Sequence, residues 1–164
     1  MISTQWVRSG CAILFVTFSG CATSAGGVAL RSDGTPEPEK CSEEALKAMN
    51  YLRLFVGEAA VVQIDANQSA RPITLHDGPI ESQLENDLGL IDAPSRLYGV
   101  VWTRGAQAVI RYYEAQPMNG GNKIPLCAVA RLGKGQLRKR PDSPPGTAVL
   151  DATTAAVFIV DSFR

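Results

Sequence analysis

Arg96-Leu-Tyr-Gly-Val-Val-Trp-Thr103 and Gln107-Ala-Val-Ile-Arg-Tyr-Tyr-Glu114 stand on either side of Arg104-Gly105. Two runs rich in β-branched and aromatic residues around a tight glycine turn are a strong local signal for a β-hairpin. Neighbouring side chains of a strand point to opposite faces, so Tyr98, Val100 and Trp102 share one face while Tyr112 and Tyr113 face opposite ways. If the Tyr98 face is the core, its rings fill it, and one of Tyr112 and Tyr113 is expected at the surface near Arg111 or Glu114. An exposed tyrosine beside an arginine is a reasonable hot spot, which makes Arg111, Tyr112 and Tyr113 candidate binding residues.

Outward from the hairpin the β pattern recurs. Met118-Asn-Gly-Gly-Asn122 predicts a turn, and Ile124 to Leu132 a strand that carries Cys127 and ends at Gly133-Lys-Gly135. Thr147 to Leu150 and Ala155 to Val160 flank Asp151-Ala-Thr-Thr154, which predicts a second hairpin. Upstream, Leu54 to Asp65 is rich in Val and Ile, with Gly57 and Glu58 as a bulge or a break, and Arg71 to His76 is a short run closed by Asp77-Gly-Pro79, whose residues favour turns. Ile80, Ser82 and Leu84 alternate with Glu81, Gln83 and Glu85 as in an amphipathic strand, although Leu84 and Leu88 before Gly89 also suit a helical turn. Before these, Ser42 can cap a helix whose first turn holds Glu43 and Glu44 and whose one face carries Ala45, Leu46, Met49 and Leu52. A short helix is therefore expected from about Ser42 to Tyr51. Strands separated by turns at about ten-residue spacing predict a mainly β fold, a small antiparallel barrel or sandwich with this one N-terminal helix; α+β is the alternative.

The N-terminus reads differently. Residues 1–10 carry Arg8 and no acid, and Cys11 to Phe18 is an apolar run of eight. Crossing a bilayer takes roughly 20 apolar residues; a basic start, a short apolar core and small residues mark an export signal instead. Phe18-Ser-Gly-Cys21 resembles the bacterial lipoprotein pattern of apolar, small, small, Cys, with Phe18 where leucine is usual. The resemblance implies cleavage before Cys21 and lipidation of Cys21, and Ala22 after the cysteine implies sorting to the outer membrane. The other reading is an ordinary secretory signal cut after Ala22 or Ala25. Residues 1–20 are thus a signal, 21–40 a flexible linker rich in Gly, Pro, Ser and Thr, and 41–164 a single globular domain. As a coil, the nineteen residues after Cys21 would reach about 25 Å.

Removing residues 1–20 from the 164 leaves one domain's worth of chain. Sixteen basic residues balance sixteen acidic ones, so no global field favours nucleic acid. Of four cysteines, Cys41 and Cys127 remain once Cys11 and Cys21 are assigned to the leader. In an oxidising compartment two such cysteines read as one disulfide, and closing a loop of about 86 residues would add roughly 4 to 5 kcal/mol in the entropic account. A metal site needs clustered Cys or His ligands, and one His with two isolated cysteines does not supply four. No cofactor is implied.

Catalytic signals are sparse. His76 is the one histidine, and it precedes a turn, where an exposed or turn-capping role is the commoner one. Phosphate-loop, dinucleotide and Gly-x-Ser-x-Gly motifs do not occur, and Glu81, Glu85 and Glu114 have nothing to single them out as a carboxylate pair. Arg131, Lys134, Arg138, Lys139 and Arg140 form a basic run before Pro141. Such a run is most often a solvated loop; its other role is a docking patch for an acidic partner. Cys41 to Met49, Arg96 to Thr103 and Ile124-Pro-Leu-Cys-Ala-Val129 resemble a group of myxobacterial lipoproteins, some labelled serine/threonine kinase-associated. This implies a cell-envelope protein, and the kinase label does not carry over, because the glycine-rich and His-Arg-Asp loops are missing. The expectation is a membrane-anchored, non-enzymatic binding or structural module with a protein partner in the envelope. The alternatives are a small periplasmic hydrolase or a regulatory partner of a signalling protein.

Overall fold

The hairpin and its flanking strands form, and they close on themselves. A computed structural model describes residues 27–133 and 135–164; Cys21 and the expected signal lie outside the described residues. In chain order the elements are β1 (Glu39–Lys40), α1 (Glu43–Tyr51), β2 (Ala59–Gln63), β3 (Ile73–His76), β4 (Gly78–Leu84), β5 (Arg96–Trp102) and β6 (Gln107–Gln116). They continue with β7 (Ile124–Arg131), β8 (Leu137–Arg138), β9 (Thr147–Leu150), β10 (Thr154–Ile159) and β11 (Ser162–Phe163). Strands β2, β4, β5, β6, β7 and β10 each pair antiparallel with the next, and β10 returns to β2. The architecture is therefore a closed six-stranded up-and-down barrel with one short helix, mainly β as expected and a barrel rather than a sandwich. Closure leaves the six strands no free edge.

Alternation decides what fills the barrel. Ala60 and Val62, Ile80 and Leu84, Leu97 and Val101, Ile110 and Tyr112, Ala128 and Ala130, and Val157 and Ile159 form a continuous buried set and face one another in register. Tyr112 is the largest ring inside. Its hydroxyl lies 2.6 Å from Ser82 Oγ, and Ser82 donates to the Ile64 carbonyl, so the tyrosine is the donor to the serine. Burial pushes the Tyr112 phenol well above its ordinary pKa, and the Ser82 bond opposes this only in part. Room for the ring comes from Gly99, its partner across β5 and β6. A Cβ there would strike the Arg111 carbonyl and lie 2.9 Å from Tyr112 Cδ1.

Helix α1 covers the outer face of β7. Ser42 Oγ accepts from the Ala45 N–H at 3.1 Å, the expected cap. Ala45 and Met49 are buried, whereas Leu46, expected on the same face, is 40% exposed. The Cys41–Cys127 disulfide, with Cα atoms 5.9 Å apart, staples the helix to the strand. Among the described residues no helix is long and apolar enough to cross a membrane.

Three expectations are corrected. Thr147 to Leu150 and Ala155 to Val160 do not form a hairpin: β9 pairs with β3, while both edges of β10 are taken by β2 and β7. Barrel closure uses the last strand's edges, so the Asp151 to Thr153 turn becomes a corner between two sheets. The end of the basic run is not a free loop, since Leu137 is buried and β8 extends the sheet beside β6. The later part of the linker expected over 21–40 is ordered structure: the Glu37 N–H donates to the Ala29 carbonyl, Leu30 bridges to Pro36, and β1 pairs with β11.

Candidate functional site

The two groups of candidate residues lie in different places. Arg111, 2% exposed, sits on the outer face of β6 beneath the N-terminal segment. Its Nη2 donates to the carbonyls of Glu37 at 2.9 Å and Pro36 at 3.3 Å, and its Nη1 lies 3.5 Å from Glu39 Oε2. The guanidinium is also 5.0 Å from the Phe163 ring and 5.4 Å from the Trp102 ring. Tyr113 donates to the same Glu39 carboxylate at 3.0 Å. Burial, and then the Glu39 charge, raise the Tyr113 pKa well above its ordinary value, against the opposing Arg111 charge.

Of the three candidates, Arg111 and Tyr112 are buried, which corrects the expectation of an exposed arginine, while Tyr113 faces outward as one of the two tyrosines was expected to and is half-buried against Glu39. Tyr112 is inside the barrel, and Arg111 with Tyr113 clasps the chain ends: β1 and β11 lie over β6, held by one guanidinium and one phenol. The strand pattern could not reveal this. A strand covered on both faces loses its polar alternation, and what covers β6 is a segment whose Pro and Gly content reads as linker.

Arg138, Lys139 and Arg140 line a groove of about 270 Å³ at one mouth of the barrel. At this end β2 leaves, β4 enters, and the β7 to β10 connection with β8 and β9 folds over. The groove has an apolar floor of Ile64, Leu137 and Leu150, all at most 3% exposed, and an exposed wall residue in Leu132. Arg140 is ion-paired with Asp151 at 2.5 Å. Lys139 donates to the Thr103 carbonyl at 2.6 Å rather than to an acid. Arg138 is exposed and makes no ion pair among the described residues. The rim thus carries three cations against one carboxylate over an apolar floor, in a chain whose overall charges balance.

The rim is held by a corner residue that the sequence marks only as part of the Asp77-Gly-Pro79 turn. Asp77, the single residue between β3 and β4, accepts from the Thr103 N–H at 2.6 Å and hydroxyl at 2.8 Å, and from Arg104 Nε at 3.2 Å. Burial raises its pKa, but the Thr103 and Arg104 hydrogen bonds outweigh this and hold it below the ordinary carboxylate value. Asp77 fixes Thr103, and the Thr103 carbonyl in turn positions Lys139.

The carboxylates considered for hydrolysis do not converge. Glu81 pairs with Arg96, Glu114 pairs with Lys123 at 2.7 Å, and Glu85 is exposed. His76 is exposed at the end of β3, opposite Thr147. Among the described residues no three His, Cys, Asp or Glu side chains gather as a metal site would require. Chemically, the mouth groove can hold an apolar group and counter a negative charge, and Glu81, Glu85, Glu114 and His76 do not line it. No family model matches the chain, and no curated protein or solved structure matches it.

Proposed function

We propose that the protein is a lipid-anchored domain of the bacterial cell envelope that acts by binding, and that its mouth groove receives an apolar, negatively charged segment of a partner protein. One observation carries the binding part: a filled barrel whose one end sets Arg138, Lys139 and Arg140 around the floor of Ile64, Leu137 and Leu150. Small closed barrels of this width have no room for an internal ligand once side chains fill them, so recognition falls to the loops at the mouth.

The anchor part rests on Phe18-Ser-Gly-Cys21 and on its short apolar run. The Cys41–Cys127 disulfide supports export, because such bonds persist in oxidising compartments. Intact mass of the protein purified from bacterial membranes tests it: a chain beginning at Cys21 with added acyl mass is expected, and an unmodified chain cut elsewhere would overturn the anchor. The groove is tested by capture of envelope partners with wild type and with the double charge reversal Arg138→Glu, Lys139→Glu. Partners retained equally by both would overturn the mouth as the binding site.

A further inference from the structure

Among the described residues the outer row of β5 is an apolar strip of the barrel left partly open, as is the outer row of β2 and β10 with Val61 and Phe158. On β6 the outer side chains Arg111 and Tyr113 lie under β1 and β11, and on β7 Cys127 is tied to α1. On β4 the outward residues alternate as Pro79, Glu81 and Gln83 and belong to a polar surface. On β5 they are Tyr98, Val100 and Trp102, all partly exposed. Val100 and Trp102, with Tyr113, Val28 and the 41% exposed Leu30, enclose a groove of about 420 Å³, with Glu39, held by Arg111 and Tyr113, as its one charged lining residue.

The groove lies where the described chain begins. Gly27 and Val28 form part of its wall, and the segment that starts at Ala29 folds back on itself, the Glu37 N–H donating to the Ala29 carbonyl, before Arg111 holds Pro36 and Glu37 to the barrel. Cys21 is eight residue steps before Ala29, and eight steps cannot span more than about 28 Å even fully extended. That is little more than the length of β5 itself, about 23 Å for seven residues. An acyl chain on Cys21 would therefore keep the start of the described segment, and the groove beside it, within about 28 Å of the bilayer surface. Trp and Tyr are the side chains that favour that interface, with an apolar body and a polar edge. Lys123, whose ammonium lies 4.8 Å from the Tyr98 ring and 2.7 Å from Glu114, places an ion pair beside this row.

We infer that the face of Val28, Leu30, Tyr98, Val100 and Trp102 seats on the interfacial layer of the membrane that carries the anchor. This rests on the lipid-anchor reading above. The arrangement fixes the barrel's orientation and keeps the mouth groove free, since the two grooves share no lining residue.

The chain supplies its own probe. It has two tryptophans, Trp6 and Trp102, and cleavage before Cys21 leaves Trp102 alone. The mature acylated protein, verified by mass, is reconstituted into phosphatidylcholine vesicles with or without bromine near the headgroup end of the acyl chains. Trp102 fluorescence is expected to fall about twofold in the brominated vesicles, as for a tryptophan at the interface. The Leu30→Glu variant, changed at an exposed position, is expected to keep its circular dichroism and lose most of that quenching. Acylated protein equally bright in both vesicles would overturn the seating while leaving the anchor intact. A chain without acyl mass would overturn the anchor reading, and the seating with it.

Discussion

Thr103 gives both its backbone N–H and its hydroxyl to one carboxylate oxygen of Asp77, at 2.6 and 2.8 Å. Thr103 is fully buried, so these donors have no water to turn to if the acid is lost. The pair ties the corner between β3 and β4 to the turn of the central hairpin, and through the Thr103 carbonyl it reaches Lys139 on the groove rim.

Asp77→Ala is expected to destabilise the fold by about 1–3 kcal/mol, the usual penalty for stranded buried donors. The loss should depend on pH in a stated direction. The folded-state pKa of Asp77 is lowered, so its contribution is complete above the unfolded carboxylate value of about 3.9 and disappears as the pH falls through the folded value. Urea denaturation of wild type and variant should show a gap at pH 7 that narrows towards pH 2. A gap of constant size would mean that the charge of Asp77 plays no part.

Gly99→Ala should be severe for an exchange of one methyl group. The new Cβ would meet the Arg111 backbone carbonyl and the Tyr112 ring, neither of which can move without shifting the barrel's register. Overpacking of this kind costs about 1–3 kcal/mol. Thermal melts settle it, and an unchanged Tm would show that the β5 and β6 pair is less closely fitted than described.

The Cys41→Ser, Cys127→Ser double variant removes the staple between α1 and β7. In the entropic account the loss approaches roughly 4 to 5 kcal/mol, and because α1 packs mainly on β7 through Ala45 and Met49, the helix should loosen first. Hydrogen exchange should show early opening of residues 43–51 with slower exchange retained in β5 and β6. Uniform acceleration across the chain would instead make the helix part of one cooperative unit.

The parts of this fold that were legible in the sequence are those governed by neighbours in the chain. Ser42 caps the helix it was read to cap, and the β5 and β6 hairpin forms around Arg104-Gly105 because its turn and alternation are local. The turn at Asp151 to Thr154 carried the same local signal and did not make a hairpin, because the edges of β10 were claimed by strands far away in sequence. The basic run was visible as a run, yet the groove was not, since its floor joins Ile64 to Leu150 across most of the domain. Burial of Arg111 depends on carbonyls of Pro36 and Glu37, backbone groups that no side-chain pattern announces.

That clasp gives the last prediction. Arg111→Met keeps an unbranched apolar stem under Phe163 and Trp102 but strands the Pro36 and Glu37 carbonyls and leaves Glu39 with Tyr113 as its donor. Leaving buried acceptors without a donor costs about 1–3 kcal/mol when they stay buried. Here the cheaper response is for the segment of residues 29–40 to leave the barrel: its side-chain hydrogen bonds to β6 are those of this one guanidinium and Tyr113, beside the two-residue pairing of β1 with β11 and the packing of Gly34 and Thr35 on Arg104-Gly105. The six barrel strands, which pair in a closed ring without it, should persist. Limited trypsin digestion distinguishes the outcomes, because Arg31 and Lys40 lie in the segment. In the variant both sites should be cut well before any site in β5 to β7, with far-ultraviolet circular dichroism unchanged. Cleavage that begins in the barrel strands would mean that Arg111 supports the barrel itself and is not merely the fastening of its ends.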